Sequence, residues 1–131
     1  MNSKYFCGAC LILVLMIVAC SFNQKEKPID PELLPGKYYK DVDSSDSIFI
    51  YPDKTYKHTF HRKDGTVDSQ TSTWYFKPEI NDLFFERFIF YTDMGPSEFT
   101  GTWPPHVFVT EEGQVKLRYS ERVYYLKAEE K

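Results

Sequence analysis

The sequence predicts an all-β fold: one small antiparallel up-and-down barrel or sandwich of eight or nine short strands. Three observations carry the prediction. Past Pro35, apolar and polar residues alternate with a period of two in short runs, the pattern of strands with one buried face. Turn-forming residues separate the runs at close intervals, as in closed or stacked antiparallel sheets. Aromatic residues make up 18% of the chain, nearly all of them Tyr and Phe. Their large buried area lets a small domain build a core without disulfides.

The elements follow in order. Gly36–Val42 reads as a first strand and Ser47–Tyr51 as a second. Between them, Asp41, Asp43 and Asp46 with Ser44 and Ser45 read as a solvated acidic turn. This turn lacks the glycine and terminal glutamate that a calcium-binding loop requires. Tyr51-Pro52-Asp53-Lys54 is a turn, with Pro presetting φ at the first central position. Thr55–Arg62 places Tyr56, His58 and Phe60 on one face. Asp64-Gly65 predicts a hairpin with a type I′ turn. Thr66–Lys77 returns, with Ser72, Trp74 and Phe76 opposite Thr71, Thr73 and Tyr75.

Leu83–Tyr91 carries large apolar residues on both faces and no helix caps, which favours a strand covered on both sides. Within it, Glu86 and Arg87 are expected to face opposite ways, each toward a neighbouring strand. Thr92–Ser97, with Asp93, Gly95 and Pro96, reads as a loop, followed by a short strand Phe99–Trp103 ended by Pro104-Pro105. Val107–Thr110, Val115–Ser120 and Arg122–Lys127 complete the set.

Ahead of the strands, Leu11–Val18 is an uninterrupted apolar run, preceded by Lys4 and followed by Ala19-Cys20. A basic start, an apolar stretch and a small residue before the cut make a secretory signal peptide. Ile17-Val18-Ala19-Cys20 resembles the lipobox of bacterial lipoproteins. That resemblance implies cleavage before Cys20, a diacylglycerol on its sulfur and acylation of its new amine. Two other readings compete: an uncleaved membrane-spanning helix from Tyr5 to Phe22, and ordinary cleavage that releases a soluble protein. All three cysteines, Cys7, Cys10 and Cys20, lie at or before the cut, so the domain has no disulfide framework. Residues 1–19 are thus expected as signal peptide, 20–35 as lipidated cysteine and flexible tether, and 36–131 as the β domain. Leu33-Leu34 is expected to pack on the domain as a turn of helix closing one end. Ser21 is not the aspartate that retains such lipoproteins in the inner membrane of enteric bacteria, so the resemblance implies an outer-membrane location.

Cleavage removes Lys4 from the 16 basic residues and none of the 19 acidic ones, a balance of −4. That balance argues against nucleic-acid binding and against a polybasic membrane-surface patch. No cofactor is expected. His58 and His61 point to opposite faces of a strand and cannot share a metal. His58 is expected as a partly buried filler hydrogen-bonded to a neighbour, His61 as a solvated residue, and His106 has no spaced partner. No Ser sits in a Gly-x-Ser-x-Gly setting.

Leu34-Pro35-Gly36-Lys37-Tyr38, the stretch Ile48–Tyr56 and Thr73-Trp74-Tyr75-Phe76 together resemble the lipocalin-like domains of small bacterial lipoproteins. Thr73 departs from the glycine frequent there. The resemblance implies a barrel that binds. Tyr56, Phe60, Trp74 and Phe76 would line a cavity, or else simply fill the interior. Trp103, Pro104 and Pro105 would contact a partner, or Trp103 would plug a barrel end. Two function classes remain. One is a non-catalytic, lipid-anchored envelope module that binds a protein partner or small hydrophobic ligand; an immunity or inhibitor lipoprotein that neutralises a toxin or enzyme is its variant. The other is a hydrolase using Asp, Glu and His. The absence of any catalytic motif favours the first.

Overall fold

A computed structural model of the chain describes residues 26–130. The expected signal peptide, the lipid site Cys20 and the first part of the tether lie outside the described residues. Among the described residues, no helix is long and apolar enough to cross a membrane.

Nine strands form one antiparallel sheet: β1 (Gly36–Lys40), β2 (Asp43–Ile50), β3 (Thr55–His61), β4 (Val67–Lys77), β5 (Asp82–Thr92), β6 (Gly95–Trp103), β7 (Val107–Val109), β8 (Val115–Ser120) and β9 (Val123–Lys127). Their order across the sheet is β6-β5-β4-β3-β2-β1-β9-β8-β7. This is an up-and-down order in which β1 pairs with β9 while β6 and β7, consecutive in sequence, are the two edges. The sheet is therefore not closed, and the gap between β6 and β7 is a seam. At one end β7 reaches past β6 to β5. An isolated bridge joins Asp82 to His106, Leu83 N–H donates to Pro105 O at 3.0 Å, and Val107 N–H donates to Asn81 O at 2.8 Å.

Period-two alternation decides which faces are buried. Tyr38, Ile48, Ile50, Tyr56, Phe60, Trp74, Leu83, Phe85, Val107, Leu117 and Tyr125 all face inward and are buried. Tyr56, His58 and Phe60 share that face as the sequence predicts, and His61 is exposed.

Three local expectations need correction. The acidic stretch is a turn only at Asp41-Val42: β1 ends at Lys40 rather than Val42, and β2 begins at Asp43. Asp46 turns inward and is 3% exposed. The segment Thr92–Ser97 is not a loop either, because β6 starts at Gly95 after a tight turn at Asp93-Met94. Gly95 supplies a φ of +113° there, and Pro96 is tolerated because β6 is an edge strand, where a missing N–H is harmless. The third concerns the hairpin at Asp64-Gly65. Gly65 N–H donates to Arg62 O at 3.0 Å and Arg62 N–H to Thr66 O at 2.8 Å, while only Gly65 has positive φ, +90°. The turn therefore has Lys63-Asp64 at its centre and the glycine after them, the three-residue hairpin loop rather than type I′. Lys54 and Gly113 hold the equivalent places in the β2–β3 and β7–β8 loops, with φ of +71° and +85°. Nothing lies within 4 Å of a Cβ built on Gly65, so Gly65→Val acts through backbone strain alone. It is expected to cost roughly 1–2 kcal/mol, read as a lower melting temperature.

Strand β5 breaks its own period. Phe85 and Phe88 both face the core, and the ladder to β6 shifts between them. Glu86 and Arg87 form a bulge, Arg87 at φ +51°. Both side chains are exposed and neither is in an ion pair among the described residues, contrary to the opposed, cross-paired arrangement expected. The backbone groups the bulge frees are satisfied by side chains. Tyr56 Oη donates to Glu86 O at 2.7 Å, Gln70 Nε2 donates to Arg87 O at 2.7 Å, and Gln70 Oε1 accepts from Ile89 N–H.

The segment before β1, expected as part of a flexible tether, packs on the domain over the described residues 26–35. Buried Asn81 accepts from Ile29 N–H at 3.0 Å and donates to Lys27 O at 2.8 Å. A 3-10 turn, Pro31–Leu33, follows, capped by Asp30. Leu34, 0% exposed, then closes that end of the barrel. His106 Nδ1 contacts Asp82 and Nε2 contacts Glu26, each at 2.7 Å, tying this segment to β5.

Candidate binding site at the open seam

The bulge in β5 positions the site. By inserting one extra residue it aims Phe88, and two places on Phe90, toward the seam. Trp103 ends β6 opposite Phe85 in the ladder. Its half-buried ring stacks on Phe85 at 5.5 Å and 19° and lies 4.7 Å from Phe88 and 5.8 Å from Phe90. Across the seam it meets Tyr119 of β8 at 5.9 Å and Tyr125 of β9 at 5.7 Å. Trp103 is therefore a strand residue that joins the two ends of the sheet, not an anchor on a free loop. Pro104 is exposed; Pro105 is buried, its carbonyl accepting from Leu83.

Above these rings lies a groove of about 270 Å³, lined by Phe88, Phe90, Phe99, Gly101, Thr102 and Trp103 among others. Strand β6 forms its wall and is exposed from Pro96 to Thr102. Ile89 pairs with Thr100 and Tyr91 with Pro96, so Ser97, Glu98 and Phe99 stand against Phe90 alone. That excess bows the strand outward. Phe99 is 82% exposed and neighbouring Met94 96%. An edge strand with unpaired backbone groups beside an apolar groove can take an extended chain by main-chain pairing and hold one of its side chains in the groove.

The residues expected to line an interior cavity are packed ring to ring. Tyr56 meets Phe85 at 4.8 Å, Phe60 meets Tyr91 at 6.4 Å, and Trp74 Nε1 donates to Tyr51 O at 3.0 Å. Phe76 is half-buried against the same core. Burial pushes the Tyr56 hydroxyl above its ordinary pKa.

A polar cluster that the sequence did not disclose sits within the core. His58, 1% exposed, stacks on Phe88 at 4.5 Å and 18°. Its Nδ1 donates to Ile89 O at 2.9 Å, and its Nε2 faces Asp46 Oδ1 at 2.7 Å. A carbonyl only accepts, so Nδ1 is the donor in the first contact. Lys40 Nζ lies 3.6 Å from Asp46 and 3.7 Å from the centre of the Tyr119 ring. The Tyr125 hydroxyl is buried with no hydrogen-bond partner among the described residues, and burial, then the nearby Asp46 charge, raise its pKa. This cluster fixes Phe88 from behind. Buried this deeply, His58 is out of a substrate's reach, and among the described residues no group of three or more His, Cys, Asp or Glu is arranged to hold a metal. The signal that could have located the cluster was Asp46 standing two residues before Ile48, in phase with the inward face of β2.

No protein family matches the chain, and no curated protein or solved structure matches it.

Proposed function

We propose that this chain is a non-catalytic, lipid-anchored binding module of the bacterial cell envelope that holds an extended segment of a protein partner along β6. The observation that carries the reading is the open seam: a nine-residue edge strand, exposed on both faces, bordering an apolar groove floored by Trp103 and Phe88. Aromatic side chains set in grooves are the usual anchors of such contacts. The anchor itself rests on Ile17-Val18-Ala19-Cys20 and the lipobox it resembles. The lipocalin-like reading draws support from the up-and-down strand order.

Each half has its own test. Cys20→Ala is expected to abolish acylation, leave the chain uncleaved and remove it from the acylated membrane fraction. Intact mass spectrometry of the wild-type mature protein should show a lipid-modified Cys20, and an unmodified N-terminus at any residue would contradict the anchor. For the groove, Phe99→Asp should lower recovery of the partner from detergent-solubilised envelope by at least tenfold. Because Phe99 is exposed, the stability should stay within about 0.5 kcal/mol of wild type. Unchanged recovery would remove β6 from the contact surface.

A further inference from the structure

We propose that the outer face of β1, β2 and β3 is a second binding surface, for an anionic saccharide built from uronic acid or phosphorylated sugar units. It is independent of β6. The argument begins with charge. The chain is acidic overall, with 19 acidic against 16 basic residues. Yet the outward positions of β1 (Lys37, Tyr39), β2 from Ser45 to Phe49, β3 (Thr55, Lys57, Thr59, His61) and β4 from Val67 to Lys77 include no Asp or Glu. The two acids on these stretches, Asp46 and Asp68, fall in phase with the inward residues; Asp46 is buried and Asp68 is held by Arg62.

Register then sets the cations around an aromatic platform. Lys37 stands directly opposite Phe49, and Phe49 directly opposite Lys57. Adjacent strands are about 4.8 Å apart, so the two lysine stems are rooted roughly 10 Å apart with the Phe49 ring between them. Neither lysine has an acidic partner among the described residues. Phe49, 38% exposed, stacks on Tyr51 at 4.5 Å and 18°. The next cross-strand row is Tyr39, Ser47 and Thr59. Lys37, Ser47, Phe49, Tyr51, Lys57 and Thr59 line a shallow depression of about 230 Å³, with His61 at its rim.

Each component meets one feature of the ligand. An aromatic face takes the apolar C–H face of a sugar ring and sheds water from both. Ser47 and Thr59 offer hydroxyls to a polyhydroxylated chain, and flanking ammonium groups take carboxylate or phosphate. A peptide fits less well, because β1, β2 and β3 are interior strands whose main-chain groups are already paired.

The test is calorimetric titration of the full-length protein, anchored in neutral phosphatidylcholine liposomes, with tetragalacturonate, with neutral cellotetraose and phosphatidylglycerol vesicles as the other arms. Tetragalacturonate is expected to bind, more weakly as salt rises. Lys37→Gln/Lys57→Gln should weaken it at least tenfold and Phe49→Thr at least fivefold, both variants keeping the wild-type melting temperature. All three positions are exposed, so the fold is not at stake. Absence of binding, equal binding by the double variant, equal affinity for cellotetraose, or binding of vesicles alone would each overturn the proposal.

Discussion

Trp103→Ala is expected to destabilise the protein by about 3–5 kcal/mol, the range for large-to-small aromatic truncation in a core. The ring holds together two ends of a sheet that share no continuous ladder. Phe85, Phe88 and Phe90 lie on one side of it, Tyr119 and Tyr125 on the other. Removing it leaves a void between them that neither edge strand can collapse to fill. For a domain of this size, each kcal/mol corresponds to roughly 4–8 °C in melting temperature, so the fall should exceed about 10 °C in a calorimetric scan. Trp103→Phe, which keeps an aromatic face on Phe85, should recover more than half of the loss. A melting temperature within a few degrees of wild type for the alanine variant would show that the seam is held by something else.

The second large effect concerns Asp46 and His58. Asp46→Ala removes one member of a buried, hydrogen-bonded pair and leaves His58 Nε2 facing no partner. Breaking such a pair from one side costs about 3–5 kcal/mol, because the remaining polar group stays buried and uncompensated. His58→Leu should cost a similar amount, since it strands the Asp46 carboxylate against Lys40. The double variant Asp46→Ala/His58→Leu is expected to be less destabilised than the sum of the two single variants by at least about 1 kcal/mol, the coupling typical of contacting residues. Strict additivity in denaturant unfolding would mean that the two groups do not act as a pair.

These two sites also mark the limit of what the sequence discloses. Alternation in Thr55–His61 was enough to place Tyr56, His58 and Phe60 inward, because that strand is regular from end to end. Where the period breaks, sequence reading fails for a physical reason. The Glu86-Arg87 bulge shifts the inward frame of β5, and nothing in β5 itself records the shift: it depends on carbonyl partners supplied by Tyr56 and Gln70 on other strands. Asp43–Asp46 reads as a turn by composition, yet it is strand because its two ends pair with neighbouring strands, Asp43 opposite Lys40 of β1 and Asp46 opposite Phe60 of β3. Gly95-Pro96 reads as a break and is tolerated because the strand it opens has a free edge. Trp103 was conspicuous beside Pro104-Pro105, but its environment was not, since the residues that enclose it come from β5, β8 and β9. The Lys37, Phe49 and Lys57 row is likewise a property of register, invisible until three strands are aligned.

The central claim, that β6 at the open seam is where a partner docks, is tested most directly by photo-crosslinking in intact cells. A benzophenone-bearing amino acid at position 99, on β6, is compared with one at position 109, on the opposite edge strand β7, where Val109 is also exposed. The account predicts a discrete crosslinked species from position 99, lost when Cys20→Ala removes the anchor, and none from position 109. No crosslink at 99, or the same species from both positions, would contradict it.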